Sequence, residues 1–119
     1  MKLVEIINAR TVLNGINEKL PFTTAYKIAK FVKDTETAAE LFDEKRKAIF
    51  EKYAVEKTDD EGNKTKIIPD DDLAAANKEM AELGETELAD VHPTFNADDF
   101  GAINLTTAQV YALLGVIKN

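Results

Sequence analysis

Carboxylates crowd one stretch of the sequence, residues 57–72, which reads KTDDEGNKTKIIPDDD. Carboxylate oxygens are ligands that Ca²⁺ and Mg²⁺ prefer in proteins. An EF-hand loop needs acidic or amide residues at its first, third and fifth positions, glycine at the sixth and glutamate at the twelfth. With Gly62 as the sixth residue, Lys57 falls at the first position and Ile68 at the twelfth. The pattern fails at both ends, so it does not predict a calcium loop.

A structural interpretation explains both acidic clusters, with adventitious divalent binding as the alternative. The first cluster leads into Gly62 and Asn63, which is typical of a tight turn between extended segments at 55–58 and 64–68. The second follows Pro69 and begins a helical stripe. We expect its first residue to cap that helix and the other two to complement the positive end of the helix dipole. The clusters are Asp59, Asp60 and Glu61, and Asp70, Asp71 and Asp72.

Other residues suited to catalysis are sparse. The 119 residues include no cysteine and no serine, which removes thiolate metal sites and two common nucleophiles. The single histidine, His92, is better explained as a loop residue than as a general base. Asp98 and Asp99 could join the acidic turn on a divalent ion, but no spacing fixes their separation. The scattered glycines form no phosphate loop. We therefore expect a protein that is not an enzyme and holds no cofactor.

The charge is strongly uneven along the chain. The formal net charge is −7, which argues against direct nucleic-acid binding, since such binding relies on Lys and Arg. Residues 1–57 carry 11 Lys and Arg against 9 Asp and Glu, a balance of +2, whereas residues 58–119 carry 4 against 13, a balance of −9. Solubility explains this asymmetry, and a surface for a basic partner is the alternative.

Hydropathy predicts no membrane contact. No apolar run approaches the roughly 18 residues of a membrane span, and the first residues lack the unbroken apolar stretch of a signal peptide. We therefore expect a cytoplasmic protein.

Helical periodicity dominates the first half of the chain. Apolar residues recur at steps of three and four from Leu3 to Leu20, which predicts a first helix that ends near Lys19. From Pro21 to about Glu56 there is no further proline or glycine, and apolar positions follow a heptad spacing. This pattern predicts a long second helix, which forms a helical hairpin with the first.

The length of that second helix raises a question of shape. About 35 residues span about 50 Å, whereas a compact domain of this size is about 35 Å across. The helix must therefore protrude or break, and residues 34–37 are the candidate break because they are poor helix formers. We favour a continuous helix, whose end then needs a partner protein or a second copy of the chain.

The second half predicts shorter elements. A third helix should end at Gly84. An extended segment should follow, with a strand beside the segment at 64–68 as one alternative, and then loop. A last helix should begin at the Thr106–Gln109 capping box. The predicted fold is mainly α: a long helical hairpin over 1–57, then over 58–119 an acidic turn within a short β-hairpin or pair of extended segments, and two further short helices. All of it belongs to a single domain, 1–119.

Aromatic residues lie at helical spacing between residues 22 and 53, and core packing accounts for most of them. Phe31 and Phe50 fall on a different side of the predicted long helix from Ile28. We therefore predict that these two phenylalanines contribute to a protein interface.

One group of motifs runs along much of the chain and consists of Leu20-Pro21, Ala25 to Lys30, Phe42, Arg46, Ile49, Glu51-Lys52-Tyr53, Asp60 to Asn63, and Leu105-Thr106. Together these motifs resemble a family of small proteins encoded by phages and prophages of Firmicutes. In that family a Leu-Pro step opens a long helix that ends in Glu-Lys-Tyr and runs into an Asp-Glu-Asn-Gly type of turn. The chain here has Glu-Gly-Asn at that turn. The resemblance implies a phage setting and no catalytic residue.

Two functional hypotheses follow. The first is a non-enzymatic phage accessory protein that acts by protein contact, in virion assembly or as a minor structural component, located in the host cytoplasm or in the virion. The second is an acidic inhibitor of a host defence protein, in which the −9 half occupies a basic nucleic-acid groove. The partner is a protein in both, and the sequence leaves a homo-oligomer open.

Overall fold

The fold is mainly helical with a short β-hairpin, as the sequence predicted. It was obtained as a computed structural model that describes residues 1–101 and 103–118. The helices are α1 (Leu3–Asn14), α2 (Phe22–Asp34), α3 (Glu36–Tyr53), α4 (Asp70–Gly84) and α5 (Thr107–Leu113). The strands β1 (Val55–Thr58) and β2 (Lys64–Ile67) pair antiparallel, and two 3-10 turns span Ala97–Phe100 and Leu114–Val116. Within the described ranges, no helix combines the length and apolarity needed to cross a membrane.

A hydrophobic core lies in the part of the molecule that we call the head, residues 1–34, 86–101 and 103–118. One face of α1 is buried at helical steps, as the periodicity predicted. Phe95 is fully buried, with its ring centroid 5.8 Å from that of Phe31 and 5.3 Å from that of Phe100. The core residues are Ile6, Ala9, Leu13, Phe31, Phe95, Phe100, Ile103, Leu113 and Val116.

The extended segment after α4 pairs with the two ends of the described chain. The Leu3 N–H donates to the Thr86 carbonyl at 2.8 Å, and the Leu88 N–H donates to the Met1 carbonyl at 2.9 Å. Further on, Phe95 forms a parallel bridge with Ile117. The alternative that placed this segment beside residues 64–68 is therefore wrong. The physical reason is that Phe95 lies in the head core and Leu88 packs against it.

The predicted long helix is interrupted at Thr35. The favoured prediction of a continuous helix is therefore wrong, and the helix breaks within the candidate segment, residues 34–37. Thr35 is 1% exposed, and its hydroxyl donates to the Phe31 carbonyl at 2.7 Å. From α1, Arg10 Nη1 donates to Thr35 Oγ1 at 2.8 Å and to the Val32 carbonyl. In an unbroken helix the Glu36 N–H would donate to that carbonyl. A contact from another helix thus stabilises the break.

Residues 36–84, which we call the arm, project from the head. The molecule measures 53 × 34 × 24 Å and its radius of gyration is 17.8 Å, against about 13.5 Å for a compact chain of this length. Helix α3 has no buried residue, whereas α4 buries Ala76 and Gly84. A Cβ built on Gly84 would lie 3.1 Å from Val4 Cβ, so α4 ends close against α1. The chain therefore both breaks and protrudes.

Candidate functional site

The β-hairpin at the far end of the arm is the most exposed regular element of the described chain. Its register pairs Val55 with Ile67 and Thr58 with Lys64, and all eight strand residues are exposed. No described helix packs along it; one ion pair, from Lys66 Nζ to Glu51 Oε2 at 2.8 Å, links it to α3. An isolated two-stranded hairpin is marginally stable in water. Both faces of the hairpin are therefore available to another molecule.

The first acidic cluster forms the hairpin turn, as the sequence predicted. Gly62 has φ of 84°, and its N–H donates to the Asp59 carbonyl at 3.1 Å. Asp59 Oδ1 accepts the N–H groups of Glu61 at 2.9 Å and Asn63 at 2.8 Å. These bonds, that from Asn63 foremost, lower the pKa of Asp59. A type I turn followed by a left-handed residue explains why glycine precedes Asn63 here. Asp60 and Glu61 stay exposed at the tip.

The second acidic cluster lies in the first turn of α4, where it complements the helix dipole as predicted. The prediction that Asp70 caps the helix is wrong, because Pro69 holds the N-cap position and Asp70 is already helical. Proline fits there since its φ matches the helix and it needs no N–H partner. A four-residue strand spans about 14 Å, so the hairpin separates the two clusters. Among the described residues, no three His, Cys, Asp or Glu side chains are grouped to hold a metal ion.

The two phenylalanines predicted at an interface have different environments. Phe31 is 4% exposed and packs edge to face against Phe95, so its predicted exposure is wrong. The break at Thr35 lets α2 turn this side toward the head core. Phe50 is 38% exposed on α3, outside that core. Phe50 therefore remains a candidate contact residue, whereas Phe31 stabilises the fold.

Further apolar side chains on the arm were not singled out from the sequence. They are exposed by 38% to 48% and lie on both helices and on both strands. Val55 and Ile67 face each other across the hairpin, a pairing that follows from the predicted turn. With Phe50 they give the hairpin end an apolar character within a charged surface. The additional residues are Leu41, Val55, Ile67 and Leu73.

Asp99, considered for a divalent ion, and His92, considered as a general base, both lie on the head. Asp99 accepts the Asn96 N–H at 2.8 Å and both carboxylate oxygens lie within 3.1 Å of Lys27 Nζ. The hydrogen bond from Asn96, with Lys27 second, lowers the pKa of Asp99. This carboxylate therefore joins α2 to the first 3-10 turn and does not meet the acidic turn. His92 is exposed in the loop beside a cleft of about 390 Å³ that Tyr26 also lines.

Charges along the hairpin disfavour a symmetric pair of two copies. The Asp59 N–H donates to the Asn63 carbonyl. Hydrogen-bonded and non-hydrogen-bonded residue pairs alternate along an antiparallel hairpin, so Lys64 and Lys66 are the β2 residues whose backbone groups point away from β1 and are free. A two-fold pairing of two β2 edges would always oppose lysine to lysine. Such pairing is destabilising, and lysine on an edge is a common protection against it. The β2 edge therefore suits a different protein better than a symmetric second copy.

Comparison with known proteins gives no relative: no family model, curated protein or solved structure matches the chain. The candidate site therefore depends on the geometry described above.

Proposed function

We propose that this protein is non-enzymatic and acts by binding another protein through the hairpin end of its arm. One observation supports this most: a β-hairpin with all eight strand residues exposed, held away from the core. Ordering such an element has an entropic cost that its internal contacts hardly offset. A partner strand or groove that covers the hairpin would supply the missing burial.

We further propose a phage setting, in virion assembly or as a minor structural component, in the host cytoplasm or the virion. The resemblance described from the sequence supports it. Most of the residues that carry the resemblance lie in α2, α3 and the turn at 60–63. These are the arm and the helix that leads to it, and the shared pattern includes the turn of the proposed docking element but not its strands.

The acidic inhibitor is the second candidate, and the exposed acidic clusters at the two ends of the hairpin favour it. Asp60 and Glu61 extend into solvent at the tip. Electrostatic binding to a basic nucleic-acid groove should weaken steeply as salt rises. Binding that buries Phe50, Val55 and Ile67 should instead change little, because apolar contacts are not screened.

Site-specific photo-crosslinking tests both candidates. Benzoylphenylalanine replaces Thr65 on the hairpin or, as the control, Thr23 on the head, since both residues are exposed. The full chain is irradiated in lysate of phage-infected cells at about 0.1 M and about 1 M salt. We expect an adduct from position 65 alone, which excess unlabelled protein abolishes.

The identity and salt response of the adduct separate the outcomes. A virion protein captured at both salt concentrations supports the assembly role. A basic host protein captured only at low salt supports the inhibitor. Adducts that form equally from positions 65 and 23, or no adduct from position 65, contradict docking through the hairpin.

A further inference from the structure

A second feature lies on the head, away from the hairpin. Helices α1 and α2 and the loop between them enclose a groove of about 570 Å³, a volume within the range of ligand sites. Ala25 and Ala29 are exposed on its α2 side, and their small side chains leave the space open. Its apolar lining is completed by Leu13, Ile16, Leu20, Ile28 and Val32.

Arg10 lines one end of this groove with part of its hydrogen-bonding capacity unused. Its Nη1 donates to Val32 and Thr35, but the described residues offer no acceptor to Nη2 or Nε. In the described ranges, Glu79 Oε2 is the one fully buried side-chain N or O atom that has no hydrogen-bond partner. Since Nη2 and Nε of Arg10 also have no partner, neither of these nitrogens is fully buried. Each of the two nitrogens therefore keeps some exposure to solvent.

No carboxylate of the described chain pairs with Arg10, although the protein carries 22 acidic residues. Glu36 lines the same end of the groove, yet it forms no ion pair with Arg10 within 4.0 Å. A guanidinium pairs best with a carboxylate, which it can bind through two parallel N–H groups. Arg10 thus presents a cation that no described carboxylate pairs, beside an apolar surface.

We propose that this groove binds an amphipathic helix of a partner protein that presents a carboxylate to Arg10. Two helices that leave an apolar trough accept a third helix through residues spaced at three and four. The charged residues Glu18 and Lys33 also line the groove and are exposed, so an occupant would meet charges of both signs beside the apolar lining. This site is separate from the hairpin, which lets one chain bridge two proteins.

Three synthetic peptides of about 15 residues test the proposal, a length that exceeds four helical turns. Each has an alanine-based helix with leucines on one face, and glutamate, glutamine or lysine at both ends of that face. Each is titrated into the ¹⁵N-labelled full chain and followed by amide chemical shifts. We expect the glutamate peptide to shift amides near Arg10 and Ile28. It should bind about tenfold more tightly than the glutamine peptide, with the lysine peptide weakest.

Two variants locate the binding. Ala29→Leu fills the groove from an exposed helix position, so it should abolish binding while the fold persists. Ala74→Leu makes the same change on the exposed side of α4 and should leave binding unaltered. Arg10→Gln should remove the preference for glutamate over glutamine.

Several results would overturn the proposal. They are an absence of binding by all three peptides, equal binding of the glutamate and glutamine peptides, shifts confined to the hairpin, or unchanged binding to Ala29→Leu. Crosslinking from Thr65 reports on the hairpin alone, so this proposal and the proposed function can fail independently.

Discussion

Replacing Thr35 by valine tests whether the hydroxyl at the α2–α3 break holds the arm to the head. The two side chains have nearly the same volume, and their helix propensities are close. The change therefore removes chiefly the hydroxyl. That hydroxyl accepts a hydrogen bond from Arg10 Nη1 at 2.8 Å and donates one to the Phe31 carbonyl at 2.7 Å.

The loss can be sized from these two bonds. A hydrogen bond to a charged group contributes about 1.5–3 kcal/mol and a neutral one about 0.5–1.5 kcal/mol. The Phe31 carbonyl keeps the Thr35 N–H at 3.0 Å, and Arg10 keeps the Val32 carbonyl, so part of the loss is compensated. We expect the free energy of unfolding to fall by about 1–3 kcal/mol. For 119 residues, an unfolding entropy of about 250 cal/mol/K converts this to about 4–12 °C in Tm.

Urea and thermal unfolding followed by circular dichroism at the helix band measure the effect. Thr37→Val is the matched control, because Thr37 is exposed on α3 and its hydroxyl has no described hydrogen bond. The control should change stability by less than about 0.5 kcal/mol. If Thr35→Val destabilises no more than Thr37→Val, the hydroxyl does not stabilise the break and this reasoning is refuted.

Three further perturbations follow from the same structure. Phe95→Ala should lower the free energy of unfolding, measured in a urea titration, by about 3–5 kcal/mol. Phe22→Ala, at an 82% exposed position, should be nearly neutral. Equal losses of stability in the two variants would contradict the described core. Because the pKa of Asp99 is lowered in the folded state, its contribution is complete above about pH 4 and is lost as the pH falls through the lowered pKa. Asp99→Asn should therefore destabilise the protein at neutral pH and flatten the acid limb of its stability profile. An unchanged acid limb would contradict the stabilisation of this carboxylate by the Asn96 N–H and Lys27. Gly62→Ala forces a side chain into a left-handed backbone conformation, which costs about 1–2 kcal/mol. The amide hydrogens of the hairpin should therefore exchange faster with solvent, while the Tm of the head stays constant. Slower or unchanged exchange would contradict the turn.

Local rules predicted the elements whose signals lie within a few residues. Thr106 caps the last helix: its hydroxyl accepts the Gln109 N–H at 3.1 Å, and the Gln109 side chain accepts the Thr106 N–H at 2.8 Å. The turn at Gly62 likewise follows from the order of its own residues. Such motifs are readable in the sequence because donor and acceptor are neighbours along the chain.

The features that sequence patterns missed depend on residues far apart along the chain. The break at Thr35 needs Arg10, which lies 25 positions earlier. The burial of Phe31 needs Phe95, and no periodicity within α2 shows which flank meets it. Exposure of the hairpin depends on whether another segment covers it, and the segment after α4 packs on the head instead. The turn residues of the candidate site could therefore be located from the sequence. The exposure of the whole hairpin could not, because it depends on tertiary packing.

The most direct test of docking through the hairpin compares two equally exposed apolar positions. Ile67 on the hairpin is 41% exposed and Val110 on the head is 42% exposed. The dissociation constant for the protein captured from position 65 is measured for the wild type, Ile67→Glu and Val110→Glu. We predict that Ile67→Glu weakens binding by about 30-fold or more, equivalent to about 2 kcal/mol, while Val110→Glu leaves it unchanged. Equal affinities for the two variants would contradict recognition through the hairpin.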